Sequence, residues 1–508
     1  NPEDLRQPHH LIAWLARYHQ NRSPMPGVIR DGLVEQLRRF HEYRSWDLLT
    51  ILNSPEGFQQ FLDTQWTAYI NQQTGKAIAE QRSSYLLSFE KNEALQDLLP
   101  ELVRKQALTP VELEPGTSIP DWARWGTVEA SSYSDLGLSL LAELQNELRE
   151  KSSPNSVMAW NEWKQIAELW ARMNEIWQNT TAAAFNLNQR EAYTHLAENL
   201  DQTFLAWLQP HYSALGAQRL PVPKHVFHIP HFLAYQRSIG AIQKFALLVL
   251  DGLSLTDWFI IAKQWKSRHP AWSMQTDMLL AQVPSITSIS RHALISGLRP
   301  ADFASDLEHI PSETRAWEVF WMRQNVPNFA IACQSLALDR SDISPDTISH
   351  RLEGVCFIEN TIDEITHSSV LGAASQQAAL RVWIDPASQL NSKRMEDLIE
   401  HLLARSFTIF VASDHGHVEA KGIGQPTEGL LAQTRGKRAR LYQDRRAAQR
   451  VQQTFPDTIL WENDGLLPEQ FYALMPNGRT AFTTPGETVV THGGVTIDEM
   501  IVPFVQIK

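Results

Sequence analysis

Over the first 220 or so residues, apolar positions recur at helical spacing, as from Leu11 to Tyr18 and again from Gly32 to Thr50. A Pro-rich stretch around Pro110, Pro115 and Pro120 interrupts the pattern and divides this part into regions 1–110 and 111–225. In the second region, Ser153-Pro154-Asn155-Ser156 reads as a helix start. Trp160, Trp163, Trp170 and Trp177 follow at spacings of three, seven and seven, which puts four indoles on one helix face. So large an apolar stripe is normally buried, so a packed helix–helix seam is expected, with a partner-binding groove as the alternative. No solenoid repeat of regular period runs through the chain.

The pattern changes after Leu220-Pro221-Val222-Pro223. Short, uninterrupted apolar runs now alternate with longer helix-like stretches: Phe245 to Leu250, Asn328 to Cys333, Gly354 to Ile358, Val382-Trp383-Ile384 and Phe407 to Ala412. Runs of this length predict strands buried on both faces by helices. The expected fold class is therefore α/β, a sheet flanked by helices over residues 240–508, preceded by a mainly α-helical N-terminal region.

Composition narrows the class without naming a function. Of 508 residues, 43% are apolar and 20% charged, a globular balance. The 45 Lys and Arg against 57 Asp and Glu give a net charge of −12, so no protein-wide basic field draws in nucleic acid. The apolar runs are far shorter than a membrane helix requires, so no membrane association is expected. The start, Asn1-Pro2-Glu3-Asp4, has no signal-peptide character and no initiator Met, so sequence upstream is expected to be missing. The two cysteines, Cys333 and Cys356, sit in strand-like runs and read as buried thiols in a reducing cytoplasm.

In open α/β sheets, reactive groups gather beyond the carboxyl ends of the strands. Asp251-Gly252 follows the first run, Asp363 and His367 follow the third, and Ser413-Asp414-His415-Gly416-His417 follows the fifth. Val489-Val490 leads into Thr491-His492-Gly493-Gly494. Singly, these read as a turn, a surface ion pair, a cap and a loop histidine. Together they place Asp251, Asp363 and Asp414 with His367, His415 and His492 at one expected rim, and two mixed oxygen–nitrogen sets suit a pair of zinc or manganese ions. The hydroxyl-rich segment Pro284 to Gly297 supplies Thr287 at a possible helix start. There it is either a plain N-cap or, beside cations, a nucleophile whose missing acidity the metals provide.

These segments resemble the alkaline phosphatase superfamily and, within it, the PglZ domain of bacterial phage-defence (BREX and phage growth limitation) systems. Pro-Ser-Ile-Thr-Ser-Ile-Ser-Arg from Pro284, Ser-Asp-His-Gly-His from Ser413, and Thr-His-Gly-Gly-Val-Thr-Ile-Asp-Glu-Met-Ile-Val-Pro from Thr491 carry the likeness over residues 240–508. The resemblance implies two divalent ions, zinc or else manganese. Asp251, Thr287, Asp414 and His415 would surround one, with Thr287 the bridging nucleophile; Asp363, His367 and His492 would surround the other. The nucleotide pyrophosphatase/phosphodiesterase branch has a nucleophile segment of the same length whose Thr falls on Thr287, although Ile289 stands where that branch carries a Pro. Sulfatases need a Cys or Ser at position 287, which Thr287 excludes. Arg291 falls where sulfatases carry an Arg, and reads equally as a phosphoryl ligand or a helix-facing side chain.

The cluster Arg435, Lys437, Arg438, Arg440, Arg445, Arg446 and Arg450, opposed only by Asp444, reads either as a nucleic-acid backbone track or as a solvated face. The expected function is a metal-dependent phosphoesterase, nuclease-like or phosphodiesterase, inside a defence assembly whose implied partners are a methyltransferase and ATPases, with DNA as a further candidate. The alternative is a scaffold in such an assembly whose catalytic groups are dispensable.

Overall fold

The computed structural model describes residues 5–508 apart from 21–24, 76–86, 105–106, 114–116, 130–132, 152–157, 180–184, 219–221, 304–311, 337–348, 370–371, 387, 389–392, 428–435 and 463. The apolar runs of the second half align as a sheet of β1 (Lys244–Leu250), β2 (Met274–Leu280), β3 (Ile331–Leu336), β4 (Gly354–Glu359) and β5 (Phe407–Ala412). The terminal strand Ile501–Ile507 completes it. The order is β2, terminal strand, β5, β1, β4, β3. β5, β1, β4 and β3 run parallel; the terminal strand lies antiparallel to both its neighbours. Register puts Leu250 opposite Glu359 and Val249 opposite Ala412, so β1, β4 and β5 end level. The segments leaving these three strands therefore emerge on one rim.

Two strands escape the apolar-run criterion, and one run is misread by it. β2 opens on Met274-Gln275-Thr276-Asp277, whose polar residues lie at the sheet edge. The terminal strand contains Pro503, a residue that disfavours a central strand. It is tolerated because β5 pairs only with Phe504–Ile507, leaving Pro503 with β2 alone. Val382-Trp383-Ile384 ends the helix Ala373–Ile384 and is not a strand. A helix buried on two sides presents the same unbroken run: Val382 enters the N-terminal core while Trp383 enters the core of the sheet.

The N-terminal helices are α1 (Pro8–Gln20), α2 (Gly27–Leu37), α3 (Leu48–Asn53), α4 (Pro55–Gln73), α5 (Glu93–Arg104), α6 (Tyr133–Lys151), α7 (Trp160–Asn179), α8 (Leu187–Gly216) and α9 (His228–Ser238). Residues of α1 to α5 form one apolar cluster around Leu11, Trp66, Tyr69 and Leu99. α6 to α9 instead share a continuous core with the sheet. The tryptophan face of α7 lies in that core: Trp163 packs edge-on against Phe204 of α8 and Trp160 stacks on Trp207. Farther along, Trp177 stacks on Tyr193. The stripe is a helix seam, as burial of so much aromatic surface requires. No helix among the described residues is long and apolar enough to cross a membrane.

Candidate metal centre

Asp251 directly follows β1, and its N–H donates to the Glu359 carbonyl at 2.8 Å, tying the ends of β1 and β4 together. The next residue, Gly252, adopts a left-handed φ of +70°, and a Cβ there would lie 3.3 Å from Asp363 Oδ1. Its N–H donates to Asp414 Oδ1 at 3.1 Å. The left-handed backbone favours glycine, and a side chain would also press on Asp363, which gives the Asp-Gly pair a role beyond turning the chain.

α10 (Leu255–Arg268) follows this turn, and α11 (Thr287–Ser296) begins on Thr287 itself. The N-cap of α11 is Ile286, whose side chain cannot cap, so the amides of Thr287 and Ser288 keep their donor capacity, while those of Ile289 and Ser290 donate to the Ile286 carbonyl. Thr287 Oγ1 lies 2.9 Å from His415 Nε2. His415 Nδ1 faces the Gly416 carbonyl at 3.0 Å and must donate to it, which leaves Nε2 as the acceptor for the Thr287 hydroxyl. α12 (Thr361–Ser368) starts just beyond β4 and carries Asp363 and His367 one turn apart, with Nε2 to Oδ1 at 3.1 Å.

His492 arrives differently from the sequence expectation. The strand before it, Thr488–Thr491, belongs to a separate small sheet with Val418–Gly422 and Thr480–Ala481, not to the main one. The loop after it reaches the rim because Ser285 ties it down: His492 Nδ1 donates to the Ser285 carbonyl at 2.9 Å, Gly493 N–H donates to Ser285 Oγ, and that hydroxyl donates to the Gly494 carbonyl. His492 Nε2 then lies 3.1 Å from His367 Nε2, and its ring stacks on His415 with centroids 3.9 Å apart.

The seven residues Asp251, Thr287, Asp363, His367, Asp414, His415 and His492 thus converge. Asp251 Oδ1 and Asp414 Oδ2 are buried and meet no hydrogen-bond donor, and both face His415 Nε2, at 3.8 and 3.6 Å. One ligand atom each from Asp251, Asp414 and His415 lie within 4.8 Å of one another, as do those of Asp363, His415 and His492. Buried lone pairs facing each other in this way repel unless cations sit among them. The mixed carboxylate and imidazole donors therefore fit divalent metal ions. His415 belongs to both groups, whereas the sequence pattern assigned it to the first alone.

Electrostatics follow the same logic. Burial, and then the neighbouring Asp414 carboxylate, push Asp251 well above the usual carboxylate range, against the pull of Arg291. Burial also acts upward on Asp363, but the hydrogen bond from His367 and the His492 imidazole outweigh it and hold the group below that range. Burial, then His415, drives His492 well below the ordinary histidine value, which keeps its Nε2 lone pair available.

Arg291 donates from Nη1 to Asp251 Oδ2 at 2.6 Å and to Asn360 Oδ1 at 3.0 Å, and from Nε to Glu313 Oε1 at 2.6 Å. It braces Asp251 at the edge of the centre. Within the basic cluster, Arg445, Arg446 and Arg450 are exposed, but two of the candidate backbone contacts are not. Arg438 is fully buried, with Nε 2.8 Å from Glu499 Oε1, and Arg440 is buried over the Phe482 ring. Lys437 is half-buried, Arg445 pairs with Glu462, and Arg435 lies outside the described residues. Arg438 and Arg440 are therefore unavailable to a phosphate backbone. Glu499, which sequence reasoning passed over, accepts from Gly494 N–H at 2.7 Å and from Thr496 Oγ1 at 2.7 Å. Its signal was the Thr496-Ile497-Asp498-Glu499 capping box, which forms in full.

No curated protein matches the chain by sequence. Among solved structures, murine ectonucleotide pyrophosphatase/phosphodiesterase 5 is similar at 11% identity and a TM-score of 0.33, over 52% of this chain and 88% of that one. The human counterpart gives 10%, 0.33, 52% and 87%. Phosphonoacetate hydrolase from Sinorhizobium meliloti 1021, in complex with phosphonoformate, gives 12%, 0.31, 52% and 89%. By sequence, residues 235–507 match the BREX system PglZ alkaline phosphatase-like domain. That span is more than half of the 508 residues and contains every residue of the centre, and the chain belongs to this family.

Proposed function

We propose that the chain is a two-metal phosphoesterase with Thr287 as nucleophile, working within a phage-defence assembly. The observation that carries this reading is the convergence of two buried acceptor groups on His415, whose Nε2 accepts from the Thr287 hydroxyl at 2.9 Å. Asp251, Asp414 and His415 would hold one ion, and Asp363, His367 and His492 the other. Bound there, divalent ions supply Lewis acidity, lowering the pKa of a nearby hydroxyl and neutralising phosphoryl charge.

The protein's own part is orientation. Thr287 Oγ1 is held at the start of α11, where the amides of Thr287 and Ser288 offer donors to a phosphoryl group. Attack of Oγ1 on phosphorus expels the alcohol and forms phosphothreonine; water then cleaves that ester and restores the hydroxyl. The fixed Nδ1–H bonds of His415 and His492 keep both rings in the tautomer that presents Nε2 to the centre.

Among the described residues, only these two groups of potential ligands meet, and a third cation site of the kind that would favour doubly charged monoesters is not among them. Diesters are therefore the substrates to try first. The match to the BREX PglZ domain supports placing the chain in a defence assembly, where a methyltransferase and ATPases would be its partners. Purified Thr287→Ala should lose hydrolysis of bis(p-nitrophenyl) phosphate by at least about a thousandfold while retaining most of its zinc or manganese. Turnover at the parental rate would overturn the nucleophile. Absence of both metal and turnover in the reconstituted parent would leave the scaffold role in its place.

A further inference from the structure

The mechanism gives no part to His417, the last residue of the Ser413 to His417 turn. Its side chain is only 8% exposed. Its Nδ1 lies 3.0 Å from the Gly252 carbonyl, and a carbonyl only accepts, so Nδ1 carries the hydrogen. Its Nε2 faces Asp257 Oδ2 at 3.4 Å. Asp257 is buried in the first turn of α10: its N–H donates to Ser254 Oγ at 3.1 Å, and Oδ2 also accepts from Gln376 Nε2 at 3.2 Å. The imidazole is held through Nδ1 by the Gly252 peptide, with the buried Asp257 carboxylate beside its other nitrogen.

Gly252 is where the three carboxylates meet. Its N–H holds Asp414, its neighbour is Asp251, and Asp363 packs against its Cα side. Glycine in the left-handed region rotates more freely than any other residue, so its geometry depends on what anchors the two adjoining peptides. Asp414 anchors the peptide before the Cα and His417 the peptide after it.

We propose that His417, steadied by Asp257, is a positioning residue of the metal centre: by holding the Gly252 carbonyl it fixes the turn that spaces Asp251, Asp363 and Asp414 for cations. This rests on the two-metal reading. Orientation of metal ligands by such outer contacts is commonly worth ten- to hundredfold in affinity.

The test compares His417→Phe, His417→Asn and His417→Gln. The Asn amide nitrogen stands near the position of Nδ1 and can still donate to Gly252; the Gln amide reaches the Nε2 position and serves only Asp257. Zinc affinity is read by chelator competition, the ligand field by the visible spectrum of the cobalt-substituted protein, and the turn by amide exchange over Asp251–Leu253 in metal-free protein. Phe and Gln should weaken zinc binding by about ten- to hundredfold, change the cobalt bands and accelerate exchange, while Asn stays within about threefold of the parent. Equal affinity and exchange in all three, or Asn as damaging as Gln, overturns the proposal; the Asn–Gln comparison decides even if the Phe variant fails to fold. A parent that binds neither zinc nor manganese sinks the two-metal reading, while the exchange comparison still decides whether His417 holds the turn.

Discussion

Arg438 and Glu499 form an ion pair with both side chains fully buried, Nε to Oε1 at 2.8 Å, beneath the loop that carries His492. Arg438 also donates to the carbonyls of Gly478 and Thr480, so one guanidinium joins the small sheet, the Gly494 turn and the C-terminal segment. Breaking a buried pair from one side strands a charge, at a cost on the order of 3–5 kcal/mol. Arg438→Met should destabilise the protein by about that much in urea unfolding, and Arg438→Met with Glu499→Leu by less than Arg438→Met alone. Unchanged unfolding of Arg438→Met would rule out the buried pair.

The carboxylates of the centre yield a prediction whose sign depends on metal. In Asp414→Asn, an amide oxygen can keep the bonds from Gly252 and His415 N–H, while the NH2 replaces the oxygen that now meets no donor beside Asp251. Without metal this relieves repulsion, and stability should rise on the order of 1 kcal/mol. With zinc the variant should lose about one equivalent of bound metal, and with it the stabilisation that the ion confers on the folded state. Calorimetry with and without zinc measures both arms; a variant less stable than the parent in both conditions would count against a cation site there.

Much of this centre was readable from the chain because parallel strands buried on both faces leave uninterrupted apolar runs, and Asp251, Asp363 and Asp414 follow such runs closely. The unread part depended on residues far away in sequence. Nothing near Arg438 announces Glu499, 61 positions later, so local charge density read as surface. Nothing near His492 announces Ser285, which fixes its ring and holds its loop against the start of the nucleophile segment. The Pro503 strand was hidden because proline tolerance depends on which neighbour stops short, a property of register and not of composition.

The tryptophan seam predicts that the helical pair and the sheet unfold together. Trp163 is fully buried between Phe204 and Trp207, inside a core that continues into β1 and β5. Trp163→Ala should cost about 3–5 kcal/mol and raise amide exchange in the sheet strands as well as in α7 and α8. Exchange confined to the two helices would show that they fold as a separate unit.

Acid should destabilise the fold through two histidines that are not among the residues of the metal centre. His228 Nδ1 accepts from the N–H groups of Lys224 and His225, at 3.1 and 3.3 Å, and its Nε2 must donate to the Gly216 carbonyl at 3.0 Å. His225 Nε2 donates to the Tyr212 carbonyl at 2.9 Å, with Gln282 beside its Nδ1. Both rings are thus held neutral, and burial, ahead of any other cause, lowers His225 to about 3 and His228 to about 4. Between those values and the ordinary 6.5, the unfolded chain binds protons that the folded chain refuses, so stability falls as pH falls. Their contribution is complete above pH 6.5; below it, each removes about 1.4 kcal/mol per pH unit, His228 down to about 4 and His225 down to about 3. Urea unfolding at pH 7, 6 and 5 in metal-free protein measures the slope. His228→Asn, whose side-chain oxygen can still accept from the Lys224 and His225 amides, should remove one histidine's share; a slope unchanged by that substitution would mean that His228 is not held neutral in the fold.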